Sequence, residues 1–234
     1  MSQRSNEYGQ PIGPEIANWS ARPRPPRTPM SGRYCRLEPV SAAKHADELH
    51  AAWGLAPDDR DWTYLFAERP KNAEECHAYV AGLEKSDDPL HYAIIDTATG
   101  KAVGTAAHMR IDPAHGVIEV GTITYSPLLQ RTRAGTEAMY LMMKRAFDEL
   151  GYRRYEWKCD NHNEPSKRAA LRYGFTYEGL FRKAIVYKGR SRDTAWFSII
   201  DAEWAGVKQA FEDWLAPGNF DGNGMQKTPL AKGR

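Results

Sequence analysis

Between Ile118 and Phe175 the chain reads as strand, polar turn, long helix, strand and short helix, and this order narrows the possible folds more than any other stretch. Ile118-Glu119-Val120-Gly121-Thr122-Ile123-Thr124-Tyr125 reads as the first strand and breaks at Pro127. The turn Gln130-Arg131-Thr132-Arg133-Ala134-Gly135-Thr136 follows. Beyond it, Met139, Met142, Met143, Ala146, Phe147 and Leu150 fall at helical spacing, which predicts an amphipathic helix with one buried stripe. Gly151 stands where a helix commonly ends. A turn of this kind presents free backbone N–H groups at the positive end of a helix dipole, which makes it an anion site. Arg131 and Arg133 add fixed positive charge beside it. The arrangement predicts a seat for the pyrophosphate of a large cofactor.

The flanking sequence supplies more of an α/β pattern. Arg33–Glu38 reads as a strand, and Ala42–Trp53 and Ala73–Glu84 as helices, the second capped by Asn72. Asp58–Phe66 reads as a short helix or turn. His91–Ile95 and Val103–Ile111 form a hairpin around Thr99-Gly100, and Asp112–Gly116 turns into the strand at Ile118. After Gly151, Tyr155, Trp157 and Cys159 alternate with Arg154, Glu156 and Lys158 as a strand does. Asn163 caps a short helix with Pro165 in its first turn and Gly174 at its end. Thr176–Tyr187 and Thr194–Ile200 form a closing hairpin, and a last helix carries Trp204, Val207, Phe211 and Trp214 on one stripe. Three regions are expected: a Pro/Arg-rich arm at 1–32, a domain at 33–202, and a C-terminal helix with a mobile tail at 203–234. The arm is expected to lie on the domain or on a partner subunit. The stripe and the arm are expected either to cover the domain or to form a homodimer contact.

Composition removes several functions. Lys+Arg 32 against Asp+Glu 30 leaves +2, so no strong field favours nucleic acid or a membrane surface. No apolar run approaches the roughly 18 residues that span a bilayer, and residues 1–30 lack the charged-then-apolar pattern of a signal peptide. Three scattered cysteines, Cys35, Cys76 and Cys159, suit neither a disulfide framework nor a zinc site. A reduced cytoplasmic protein without metal is expected.

Residues 90–200 resemble the GNAT acetyltransferase superfamily, in particular its RimJ/RimL-like branch. The residues that carry the resemblance are Glu119-Val120-Gly121, Pro127, Gln130-x-x-Arg133-x-Gly135-Thr136-Glu137-Ala138, Asn163-x-x-Ser166 and Tyr173-Gly174-Phe175. Glu178-Gly179, Phe181-Arg182 and Gly189-Arg190-x-Arg192-Asp193 extend it. The resemblance implies an α+β fold, a mixed and mostly antiparallel sheet flanked by helices, whose fourth and fifth strands splay apart. It implies that the pantetheine arm of acetyl-CoA lies in that gap like an added strand, facing Ile123 and Tyr125. It also implies that Gln130, Arg131, Thr132, Arg133, Ala134, Gly135 and Thr136 hold the pyrophosphate, and that Asn163 contacts the cofactor arm besides capping its helix. The family pattern has glycine where this chain has Arg133, which must either adopt a helix-compatible conformation or add a guanidinium contact.

Acetyl transfer to an amine needs a base for the ammonium proton, a donor for the developing oxyanion, and a partner for the departing thiolate. Glu119 is the candidate base, directly or through water, against the alternative of a strand carboxylate paired with an arginine. A backbone N–H of the fourth strand is the simplest oxyanion donor. Ser166 lies where the family's thiol-interacting residue lies; its alternative role is helix-start capping. The tyrosine that many relatives carry seven residues after the asparagine is Ala170 here, which favours Ser166. Cys159 has no evident activator and reads as a small wall residue. His108 and His115 flank the hairpin before Glu119, either lining the acceptor pocket, relaying a proton, or serving only as polar hairpin residues. Trp53, Trp62, Tyr64 and Phe66 lie where the family builds its acceptor wall, or else belong to the core.

Two functions remain. One is an acyl-CoA-dependent N-acyltransferase, with acetyl-CoA as co-substrate or a succinyl-type donor as a variant, acting on a primary amine such as a protein N-terminus or a small molecule. The other is an acyl-CoA sensor or partner subunit without turnover.

Overall fold

The structure, a computed structural model, describes residues 4–230. After a short ribbon of β1 (Arg4–Ser5) and β2 (Pro11–Ile12), the elements run β3 (Met30–Ser31), β4 (Cys35–Pro39), α1 (Ala42–Trp53), α2 (Ala73–Lys85), β5 (Leu90–Asp96), β6 (Ala102–Asp112) and β7 (Val117–Tyr125). They continue α3 (Arg133–Lys144), β8 (Arg154–Asp160), α4 (Glu164–Arg172), β9 (Thr176–Tyr187), β10 (Arg190–Ile200) and α5 (Asp201–Leu215). One eight-stranded sheet has the order β3-β4-β5-β6-β7-β8-β10-β9. Every pairing is antiparallel except β7 with β8, which α3 joins by a crossover.

Strand alternation builds two cores, one on each face of the sheet. On β5, Tyr92 and Ile94 join the cluster under α3 and α5, while Ala93 and Ile95 join the cluster under α1 and α2. α3 is buried at every residue from Ala134 to Met143, so the expected single stripe of Met139, Met142 and Met143 belongs to a helix that is covered all round. The predicted helix is not uniform to Leu150: it widens into a π-helical turn over Arg145–Glu149. Gly151 then takes φ +69°, the left-handed conformation expected past a helix end.

The feature that positions the site is the short β7–β8 pairing. It spans Val117–Val120 against Arg154–Trp157 and no further. From Gly121 onward β7 keeps β6 on one side and has no strand on the other. β7 also carries a bulge: Ala107 pairs with Gly121 but Thr105 with Thr124, so one extra residue lies between them, and Thr122 sits at φ +46°.

At the end of the arm, Met30–Ser31 adds an edge strand to β4. The tail is anchored at Phe220, which is buried, while residues 221–229 are exposed; Trp214 Nε1 donates to Gln226 Oε1 at 2.9 Å, and Lys227 N donates to Asn219 O at 2.7 Å. Residues 231–234 of that tail lie outside the described residues. The α5 stripe is used within the chain. Trp204 stacks on Phe147 at 5.0 Å, and Phe211 stacks on Tyr140 at 5.6 Å and Tyr173 at 5.9 Å. It is therefore not free to form the homodimer contact.

Candidate active site

Where β7 and β8 part, a cavity of about 1990 Å³ opens through the molecule. Its walls include Glu119, Ile123, Tyr125, Gln130, Arg131, Thr132, Arg133, Gly135, Thr136, Asn163 and Ser166, so of the catalytic and cofactor-binding residues expected from the sequence it lacks only Ala134. Ala134 is buried in the first turn of α3.

One end of the cavity is the turn before α3. Thr132 is the N-cap, its Oγ1 accepting from Gly135 N at 3.1 Å. Thr132 N and Thr136 N bond back to the carbonyls of Leu129 and Thr132. The N–H groups of Arg131, Arg133 and Ala134 have no backbone acceptor among the described residues. Three free amides at the positive end of α3 fit a pyrophosphate. Arg133 occupies the first helical position, and its guanidinium lies 4.5 Å over the Tyr34 ring and 5.5 Å from that of Phe220. It thus resolves the missing glycine by a helix-compatible backbone and a side chain turned to aromatic packing. Gln130 Nε2 donates to Asp61 Oδ2 and to the Tyr125 carbonyl, tying the turn to the loop after α1.

Gly135 is required by packing. A Cβ there would stand 2.7 Å from Leu129 O and 3.0 Å from the Tyr125 ring. The Tyr125 hydroxyl donates to Gly135 O at 2.8 Å, so this tyrosine pins α3 to β7. Arg172 donates to Thr136 Oγ1 at 3.1 Å and lies over the Trp214 ring, adding a third cation to Arg131 and Arg133 on this side.

Near the point of divergence stands Glu119, 4 % exposed. Lys158 Nζ is 2.8 Å from Glu119 Oε2 and 2.6 Å from Glu156 Oε2, and Arg110 Nε is 3.3 Å from Glu119 Oε2. Burial raises the Glu119 pKa, and the Lys158 and Arg110 charges oppose that rise without cancelling it. Glu119 is therefore paired, as the structural alternative required, and also perturbed upward in a cavity, as a base requires.

Across the gap, Asn163 Oδ1 accepts from Ser166 N at 3.1 Å and caps α4. Ser166 Oγ accepts from Trp157 Nε1 at 2.9 Å. Asn163 supplies the cap, and the Ser166 hydroxyl, which accepts from Trp157, has its own proton to donate toward sulfur, with Cys159 as its hydrogen-bond neighbour here. Cys159 faces the same cavity, and burial pushes its thiol up, leaving it neutral and un-nucleophilic.

The remaining wall carries Trp53, Trp62, Tyr64 and Phe66, all of which border the cavity. Trp53, Trp62 and Tyr79 meet edge-to-face at 5.2–6.1 Å. The two hairpin histidines are elsewhere. His108 is fully buried between Tyr92 and Tyr155 on the α3 side of the sheet, where burial lowers its pKa to about 3. His115 lies in the exposed turn before β7. The histidine that does border the cavity is His91, neutral because burial lowers its pKa to about 4, with Nδ1 3.5 Å from Thr122 Oγ1. Lys158, Trp196, Thr194 and Arg192 also border it. None of these four was among the site residues expected from the sequence. A central parallel strand is covered on both faces, so its charged residues had to be paired or to look into a cavity.

The sequence matches the model of the Acetyltransferase (GNAT) domain over residues 35–176. The fold superimposes on the crystal structure of a GCN5-related N-acetyltransferase from Brucella melitensis with a TM-score of 0.90 at 53% identity, covering 92% of this chain and 97% of that one. Among curated proteins it is 25% identical to "Probable N-acetyltransferase YjcK" of Bacillus subtilis over 74% of this chain and 98% of that protein. It is 32% identical to "Uncharacterized N-acetyltransferase p20" of Bacillus licheniformis over 49% of this chain, a match that spans 64% of that protein's length. With the splayed strands, the capped anion turn and the family match in agreement, the chain belongs to the GNAT family of acetyl-CoA-dependent N-acetyltransferases.

Proposed function

We propose that this chain transfers acetyl from acetyl-CoA to a primary amine by direct attack in a ternary complex, and that it belongs to the RimJ/RimL-like branch. The observation that carries the reading is the placement of Glu119 and Ser166. A buried carboxylate and a proton-bearing hydroxyl border one cavity, from β7 and from α4, on either side of the gap between β7 and β8. Bound acetyl-CoA supplies the activated acyl group and a thiol as leaving group. Arg131, Arg133 and Ala134 offer their free amides to its pyrophosphate, with Gln130, Thr132, Gly135 and Thr136 holding the turn. The unpaired edge of β7 from Gly121 to Tyr125, including Ile123, offers backbone groups to its arm and to the developing negative charge.

Glu119 takes the ammonium proton, directly or through water. Its raised pKa makes it a better base than an ordinary carboxylate, while Lys158 and Arg110 keep the ionised form accessible. Ser166 donates a hydrogen bond to the departing sulfur; a thiol of pKa about 8.5 needs no stronger acid. Ala170 in place of a tyrosine supports this assignment and the RimJ/RimL-like branch. Residues 33–202 form the catalytic domain in this reading, with 1–32 and 203–234 as its covers. The buried free thiols of Cys35, Cys76 and Cys159 support a reducing, cytoplasmic setting, and among the described residues no helix is long and apolar enough to cross a membrane.

The test is thiol release with acetyl-CoA and succinyl-CoA across a panel of amines and peptides. Glu119→Gln is expected to lower kcat by about 10²–10⁴ and Ser166→Ala by about tenfold or more, both with acetyl-CoA affinity retained. Tight acetyl-CoA binding by the wild type with no thiol release on any amine would instead establish the sensor.

A further inference from the structure

One charged group beside the reaction centre lacks a counter-charge. Arg192 on β10 is 7 % exposed, yet no carboxylate pairs with it among the described residues. Its one hydrogen bond is from Nε to Thr194 Oγ1 at 3.1 Å. The two terminal guanidinium nitrogens bond to nothing among the described residues and are not sealed from open volume. The volume they meet is the cavity, which Arg192 lines. The nearby Asp160 is already engaged: Tyr187 Oη donates to its Oδ2 at 2.8 Å, and His162 N and Nδ1 lie 2.9 Å from its Oδ1. A buried guanidinium without an anion is costly, and a planar fork of free donors matches a carboxylate.

Arg192 is placed by the β9–β10 hairpin and not by the turn before α3. The β9–β10 hairpin is latched to the loop after α1: Lys188 Nζ donates to Trp62 O and Arg190 Nη2 to Thr63 O, each at 2.9 Å, and Phe66 packs on Tyr187 at 5.6 Å. Arg192 sits beneath this latch, 6.0 Å from the Phe66 ring and 5.9 Å from that of Tyr187. Along the sheet the same face runs through Thr194 and Trp196 to Lys158, whose Nζ lies 3.9 Å over the Trp196 ring and binds Glu119. The cation therefore stands at the acceptor end of the cavity, on the strand face that leads to the proposed base.

We propose that Arg192 is the receptor for a substrate carboxylate, and that the acceptor is an amine bearing a carboxylate on an apolar or aromatic body. The proposal rests on the acetyltransferase reading. The same chemistry could be brought by a dicarboxylic acyl donor instead, and the test separates the two sources.

The binding arm uses the full chain saturated with CoA and titrated with 3-phenylpropionate and with 3-phenylpropionamide. The wild type is expected to bind the acid at least about tenfold more tightly than the amide, the range of a charge-assisted pair. Arg192→Gln removes that preference and Arg192→Lys restores part of it, while acetyl-CoA affinity in both variants reports that the fold is intact. The turnover arm compares kcat/KM for amine pairs that differ only in carboxylate against carboxamide, with acetyl-CoA. A ratio of about ten or more that collapses toward one in Arg192→Gln places the carboxylate on the acceptor. A preference for succinyl-CoA over acetyl-CoA with a neutral amine, lost in Arg192→Gln, places it on the donor. Equal binding of acid and amide by the wild type, or discrimination that survives Arg192→Gln, overturns the proposal. Because the binding arm needs no turnover, failure of the acetyltransferase reading would be seen separately, as absent thiol release.

Discussion

Lys158 holds two buried carboxylates apart. Glu119 and Glu156 are cross-strand neighbours on β7 and β8, and the ammonium binds both. Removing it in Lys158→Met leaves Glu119 with Arg110 at 3.3 Å and Glu156 with Arg154 at 2.6 Å, but takes away the cation between the two carboxylates, whose repulsion then favours protonating one of them. The Glu119 pKa, already raised by burial, then moves further up. A base works only when deprotonated, so the acid limb of kcat/KM is expected to shift to higher pH, with activity recovering at alkaline pH. Stability follows the same sign. A carboxylate whose folded pKa lies above its unfolded value favours the fold at low pH and loses that contribution as pH rises through the folded pKa. With Arg110 and Arg154 still in place, the variant should be destabilised by about 1–3 kcal/mol at neutral pH and by less in acid. A pH–rate profile and denaturant melts at two pH values check both. An unmoved acid limb would show that Glu119 is not the titrating base.

At the scale of elements, the α3 turn depends on how closely the helix approaches β7. Gly135 has no room for a Cβ between Leu129 O and the Tyr125 ring. Gly135→Ala must push α3 away from the strand or displace the turn, at a cost of about 1–3 kcal/mol. The same displacement disturbs the free amides of Arg131, Arg133 and Ala134, so acetyl-CoA affinity should fall by about tenfold or more, read by calorimetry. Unchanged affinity with lowered stability would separate the turn from the cofactor. The region also shows what a sequence can reveal. The stripe from Met139 to Leu150, the Asn72 and Asn163 caps and the alternation at Tyr155–Cys159 are local patterns, and the elements follow them closely. The motif residues from Gln130 to Thr136 and from Asn163 to Ser166 were legible for the same reason. Lys158, Arg192 and His91 were not, because their surroundings come from strands far apart in the chain. The anchor of the tail was hidden likewise: its Gly- and Lys-rich composition reads as solvent-exposed, as residues 221–229 are, but Phe220 finds Tyr34, Trp214 and Arg133 only in the folded domain.

For the whole molecule, the N-terminal arm acts as a missing piece of the domain surface. Arg145 is 4 % exposed, and its guanidinium donates to Thr28 O at 2.7 Å and Pro29 O at 2.9 Å. The hydroxyls of Tyr92 and Tyr152 donate to Pro26 O and Pro23 O at 3.2 Å. Proline suits this arm because its carbonyl accepts while its nitrogen, having no hydrogen, demands no partner. Farther out, Arg27 bonds to the carbonyls of Glu84 and Ser86, and Trp19 to that of Ala114, so the arm crosses several elements. Deleting residues 1–29 strips the two carbonyls from Arg145 and leaves its charge with Glu149 alone, at 3.2 Å. Stranding a buried charge costs about 3–5 kcal/mol, and for a chain of this size each kcal/mol lowers Tm by roughly 2–4 °C. A fall of about 6–20 °C is therefore expected from this term. If the stranded charge is the cause, Arg145→Met should destabilise the full chain but partly rescue the deletion, because methionine fills the slot without requiring acceptors. The four melts form a double-mutant cycle with a coupling of about 1–3 kcal/mol. Strict additivity would mean that the arm contributes through buried area alone. Rescue would show that the arm serves chiefly to satisfy polar groups that the sheet and its helices bury but do not pair.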